Sequence, residues 1–143
     1  MSDAMKWTPK RKVLFRELSQ NVDGEVDVAG SSEGGISFFM DAGGDCHLEF
    51  DSEKAAELVS LLTEAVRIAE DSQEKWKMVG SVRYTKCDWD DPTFDDNRGF
   101  VVVEARQGEI KFTIRADPRS DEPDWPVVIG LGPARDFVAL LQA

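Results

Sequence analysis

The sequence predicts an α+β fold, mostly antiparallel sheet with two amphipathic helices, built from one unit used twice. Three observations lead there. Between Ser52 and Glu70 apolar residues fall at Ala55, Leu58, Leu62, Ala65 and Ala69, a spacing of three and four that draws one stripe along a helix. Several short runs elsewhere alternate apolar and polar residues with period two, the mark of a strand with one covered face. The helical stripe then recurs: Ala55, Leu58, Leu61 and Leu62 reappear 79 positions later as Ala134, Phe137, Leu140 and Leu141.

In chain order the first segment, Thr8 to Gln20, reads two ways. Thr8 and Pro9 can start a helix with Val13, Leu14 and Leu18 on its face. A duplicated unit instead requires a strand near Val13 to Leu18. Glu25 to Ala29 aligns Val26 and Val28, and Gly35 to Asp41 aligns Ile36, Phe38 and Met40. Cys46 to Phe50 aligns Cys46, Leu48 and Phe50. Gly-rich turns separate these strands. The helix over 52–70 follows, with Ser52 as the expected N-cap and Glu53 in the positive first turn.

The second half repeats the order. Ser81 to Asp88 is one expected strand and Gly99 to Ala105 the next. Ile110, Phe112 and Ile114 mark a third, and Trp125 to Leu131 a fourth. A helix over 133–142 closes the chain, with Pro133 in its first turn. Residues 1–143 are therefore expected to form a single domain with pseudo-repeats 12–72 and 79–143. Trp125 is expected to be structural, and Asp117 to Asp124 a polar loop.

Duplicated units of four strands and a helix resemble, in element order, the PUR and whirly single-strand nucleic-acid binders. The resemblance implies curved sheets with a binding face and helices packed against one another.

Composition narrows the function. The 143 residues carry a formal charge of -11, which repels polyanions on average. No apolar run is long enough for a membrane-spanning helix, and the N-terminus lacks the apolar stretch of a signal peptide, so a cytoplasmic location is the default. Two cysteines, Cys46 and Cys87, are too few for a disulfide scaffold and read as reduced thiols. No catalytic, cofactor or metal site is expected. His47 is the single histidine, and zinc-ligand spacings are missing. Cys46 and His47 are neighbours in a strand and point to opposite faces. The carboxylates around Asp88 do not follow a calcium-loop pattern. Gly130 and Gly132 precede the last helix without the third glycine of a nucleotide fingerprint.

The leading expectation is thus a non-enzymatic acidic module that binds a protein partner or a second copy through electrostatic complementarity. Its candidate residues are Glu49, Asp51, Glu53, Glu57, Asp88, Asp90, Asp91, Asp95 and Asp96. The alternative is a single-strand nucleic-acid binder, because aromatic platforms among cations suit unpaired bases. Its candidates are Trp7, Lys10, Arg11, Lys12, Lys75, Trp76, Lys77 and Arg83. An enzyme with a carboxylate-only site stands third.

Overall fold

The computed structural model describes residues 7–42, 45–71, 73–84, 86–88, 99–115 and 125–142. Strands β1 (Trp7–Glu17), β2 (Val22–Ser31), β3 (Ile36–Asp41) and β4 (Asp45–Phe50) lead into α1 (Ser52–Ala69). Strands β5 (Lys77–Arg83), β6 (Lys86–Asp88), β7 (Phe100–Arg106), β8 (Glu109–Arg115) and β9 (Trp125–Gly130) lead into α2 (Leu131–Gln142). One sheet has the order β1-β2-β3-β4-β6 and the other β5-β7-β8-β9. All pairings are antiparallel. Each half contributes a four-strand meander followed by a helix, with the short β6 of the second half joined to the first sheet, which supports the internal duplication.

The ambiguous first segment is a strand. Val13 and Phe15 alternate inward with Lys12, Leu14 and Arg16 outward, and the register places Val13 opposite Val26. Pro9 has no N–H for the ladder, and the register slips between Pro9 and Lys12. As a strand the segment pairs with β2 and buries Val13 and Phe15, and a short, weakly amphipathic helix offers less burial.

Two further expectations need correction. Ser52 is not the N-cap of α1. Asp51 is, with extended backbone, and its carboxylate accepts the Lys54 N–H at 2.9 Å. Asp51 closes the first turn as Ser52 would, one residue earlier, and adds a charge that suits the helix N-terminus. The stretch Ser81 to Asp88 is also not one strand. It divides around the buried Tyr84 into β5 and β6, which belong to different sheets.

That division makes sense in terms of the repeat. After β5 the chain crosses to β4, placing His47, Leu48 and Glu49 opposite Asp88, Cys87 and Lys86. The first half makes the matching move. After β1 the Leu18 N–H donates to the Val128 carbonyl at 2.9 Å, on β9. The segment that follows the first strand of each half thus bonds to the last strand of the other half.

The helices are exchanged in the same sense. α1 lies against β5, β7 and β8, and α2 reaches β1 and β2. A Cβ at Gly80 would come within 2.6 Å of Leu61, so α1 sits directly over β5. The β7–β8 turn ties both helices, since the Gly108 N–H donates to Ala69 and the Gly108 carbonyl accepts from Leu131. One hydrophobic cluster joins both inner sheet faces and both helical stripes. Leu58, Leu62, Phe38, Phe112, Phe137 and Leu141 are all buried. Phe137 of α2 stands between Phe38 and Phe112, with ring centroids 5.5 Å and 5.6 Å away.

Candidate functional site

The inner faces are consumed by the core, so surface chemistry rests on the outer faces. These differ in charge. On the β1–β4 sheet the described outer side chains include five carboxylates, Asp23, Glu25, Asp27, Asp41 and Glu49, against Lys12 and Arg16. On the β5–β9 sheet four cations, Arg83, Arg106, Lys111 and Arg115, face two carboxylates, Glu104 and Glu109. Register explains the segregation: alternation sends one residue in two to solvent, and neighbouring strands stack those residues side by side.

The acidic face carries its own apolar residues. Leu14 is 70% exposed and Phe39 is 40% exposed, on strands either side of β2. Leu14 pairs with Glu25, and Phe39 lies between Asp27 and His47. The His47 Nε2 is 2.9 Å from the Ser37 Oγ, which ties this imidazole to the sheet. Lys12 reaches Glu25 at 3.2 Å and Asp27 at 4.0 Å, while Arg16 reaches Asp23 at 2.7 Å. The hydrogen bond to Glu25, with the charge of Asp27 behind it, keeps the Lys12 ammonium protonated to higher pH than usual.

The basic face is built around aromatic rings. Arg83, Phe100 and Arg115 form one cross-strand row, and the Arg115 guanidinium lies 5.9 Å from the Phe100 ring. Trp76 has Arg106 at 4.3 Å and Lys111 at 4.5 Å, both in cation–π range. Arg106 pairs with Glu109, and Lys111 with Glu104 at 3.7 Å.

The expected site residues are dispersed by the fold. Glu49 belongs to the acidic face, Asp51 serves as the α1 cap, and Glu53 and Glu57 are exposed on the first turns of α1. Asp88 sits on β6 opposite His47, while Asp90, Asp91, Asp95 and Asp96 lie outside the described residues, as do residues 117–124. Trp7, Lys10 and Arg11 lie on β1, where Lys12 already meets carboxylates of β2. Lys75 and Lys77 are exposed beside Trp76, and Arg83 joins the basic row. Glu25, Asp27, Leu14, Phe39 and Phe100 were not singled out as site residues by the sequence; only cross-strand register assembles them.

Among the described residues no group of three or more His, Cys, Asp or Glu side chains is placed to hold a metal ion, and no helix is long and apolar enough to cross a membrane. Open grooves flank α1, one of them lined by Val59, Leu61 and Val79. No protein-family model and no curated protein sequence matches the chain.

Proposed function

We propose that the protein is a non-enzymatic binding module whose working surface is the acidic outer face of the β1–β4 sheet, and that its partner is a protein surface rich in Lys and Arg. The observation that carries this reading is the exposure of Leu14 and Phe39 among Glu25, Asp27 and Asp41. Apolar anchors on a face where carboxylates outnumber the cations Lys12 and Arg16 supply burial at the centre and steering at the rim. A cytoplasmic setting belongs to the same reading.

The test uses a fluorescein-labelled peptide alternating Arg or Lys with Leu, followed by anisotropy at 0.1 M and 1 M salt. Glu25→Lys with Asp27→Lys is expected to weaken binding about tenfold or more, each lost charge contact being worth roughly 1 kcal/mol. The control is Glu53→Lys with Glu57→Lys on α1, which changes net charge equally. Equal losses in both variants would show that bulk charge, not this face, binds the peptide.

A second reading has one observation in its favour. The Arg83–Phe100–Arg115 row and the cation-flanked Trp76 offer stacking surfaces and charge to a single-stranded nucleic acid.

A further inference from the structure

We infer that the two outer faces are each other's partners: the acidic face of one copy docks on the basic face of a second copy, and the chain self-associates head to tail. This rests on the proposed role of the acidic face and names its occupant. The two faces are complementary. The five-carboxylate face presents Asp27 and Glu25 around Phe39 and Leu14. The four-cation face presents Arg83 and Arg115 around Phe100, with Met78 exposed at its edge. Each face thus offers an apolar centre and an excess of charge opposite in sign to the other's, carboxylates over Lys12 and Arg16 on one and cations over Glu104 and Glu109 on the other.

The faces are also matched in form. Both are outer surfaces of antiparallel meanders from the same repeated unit, so their strand spacing and pleat agree. The formal charge of -11 opposes contact between copies, yet at about 0.15 M salt charges beyond roughly 8 Å are screened and the facing residues decide. Both faces look away from one shared core, so one copy can engage two neighbours. Such a heterologous contact does not close at two subunits unless its rotation closes a ring.

The experiment is sedimentation of the full chain at rising concentration. The mean mass is expected to climb above the monomer between about 10 μM and about 1 mM at 0.1 M salt, the range of a small polar interface. It should return to the monomer at 1 M salt, where the Debye length is about 3 Å. Glu25→Gln/Asp27→Asn/Phe39→Ser removes the acidic face, and Arg83→Gln/Arg115→Gln removes the basic one. Each variant alone should remain monomeric. Mixed in equal amounts they should form a dimer and stop there, because one intact face of each kind remains. Recovery on mixing also shows that both variants are folded.

A wild-type chain that stays monomeric throughout this range would overturn the inference, as would mixing without recovery. The peptide titration is independent: loss of peptide binding with a monomeric wild type leaves the acidic face with a foreign partner. If the monomer instead binds a single-stranded oligonucleotide and Arg83→Gln/Arg115→Gln abolishes that binding, the basic face belongs to nucleic acid and the second copy is excluded.

Discussion

The Glu17 carboxylate at the end of β1 accepts the N–H of Val128 on β9 at 2.6 Å, across 111 positions of sequence. Glu17 is fully buried. Its oxygens also accept from the Ser19 hydroxyl at 2.8 Å and the Gln20 N–H at 2.6 Å. The side chain takes the place of a strand partner at the edge of β9, where the two halves meet. Glu17→Ala would leave the buried Val128 N–H without an acceptor, while Ser19 and Gln20 are exposed and can turn to water. A buried orphan costs about 1–3 kcal/mol, and a loss in that range is expected in urea denaturation. Glu17→Gln keeps one acceptor oxygen and turns an amide donor toward other donors, so it should lie between wild type and alanine. A loss below about 0.5 kcal/mol for alanine would mean that water satisfies the Val128 N–H as well.

Phe137 touches both sheets, and its removal should be felt by both. Phe137→Ala is expected to cost about 3–5 kcal/mol and Leu58→Ala about 2–5 kcal/mol by cavity formation. Near-ultraviolet and far-ultraviolet signals of Phe137→Ala should melt together, because one core serves both halves. Two separated transitions would show that the sheets unfold independently.

The core was legible in the sequence because Leu58, Leu62, Phe112 and Phe137 follow the simple periods of helix and strand. The halves could be matched for the same reason. What periodicity does not specify is which sheet a stripe covers: the face of α1 reads the same whether it rests on β4 or on β5. The outer faces were hidden more deeply. Lys12 and Arg16 look like a free basic arm along the chain, but β2 sets Glu25, Asp27 and Asp23 beside them. Arg83 and Arg115 stand far apart in sequence and become neighbours only through Phe100. The expected N-cap missed by one residue because Asp51 and Ser52 are both competent caps.

The exchange of helices predicts that neither half folds alone. A fragment of residues 1–72 exposes the stripe of α1 without β5 and β7, and residues 73–143 lack that helix. Each fragment is expected to show little cooperative unfolding by circular dichroism, and mixing the two should restore a native-like melt. A fragment 1–72 that folds as a stable monomer would contradict the exchange, although a fragment homodimer would agree with it.

The Arg67 guanidinium donates to Glu64 one turn earlier on α1 and holds that carboxyl below the usual glutamate range. A lowered folded-state pKa gives stabilisation present above the unfolded value and lost as pH falls through the folded one. Both groups are solvent-exposed, so the effect on stability is small. Titration followed by carboxyl chemical shifts should show Glu64 protonating below the ordinary glutamate range. Arg67→Ala should bring it back to the ordinary range, and an unchanged midpoint would assign the shift to another source.

The last prediction separates the basic face from a nucleic-acid site. Single strands need cations free to meet phosphates, with log affinity falling by about 0.7 per phosphate contact for each decade of salt. On the β5–β9 sheet Arg106 and Lys111 already meet Glu109 and Glu104, and Trp76 lies against those two cations. A base must displace these contacts before it can stack, which offsets the roughly 1–3 kcal/mol that stacking on Trp76 would contribute. The body at -11 adds repulsion that a phosphate chain feels along its length. Anisotropy titration with labelled single-stranded DNA and RNA is therefore expected to give about millimolar affinity or weaker at 0.15 M salt. Trp76→Ala should leave that value unchanged. Micromolar binding that weakens with salt, and that Trp76→Ala or Arg83→Gln diminishes, would transfer the basic face from the second copy to nucleic acid.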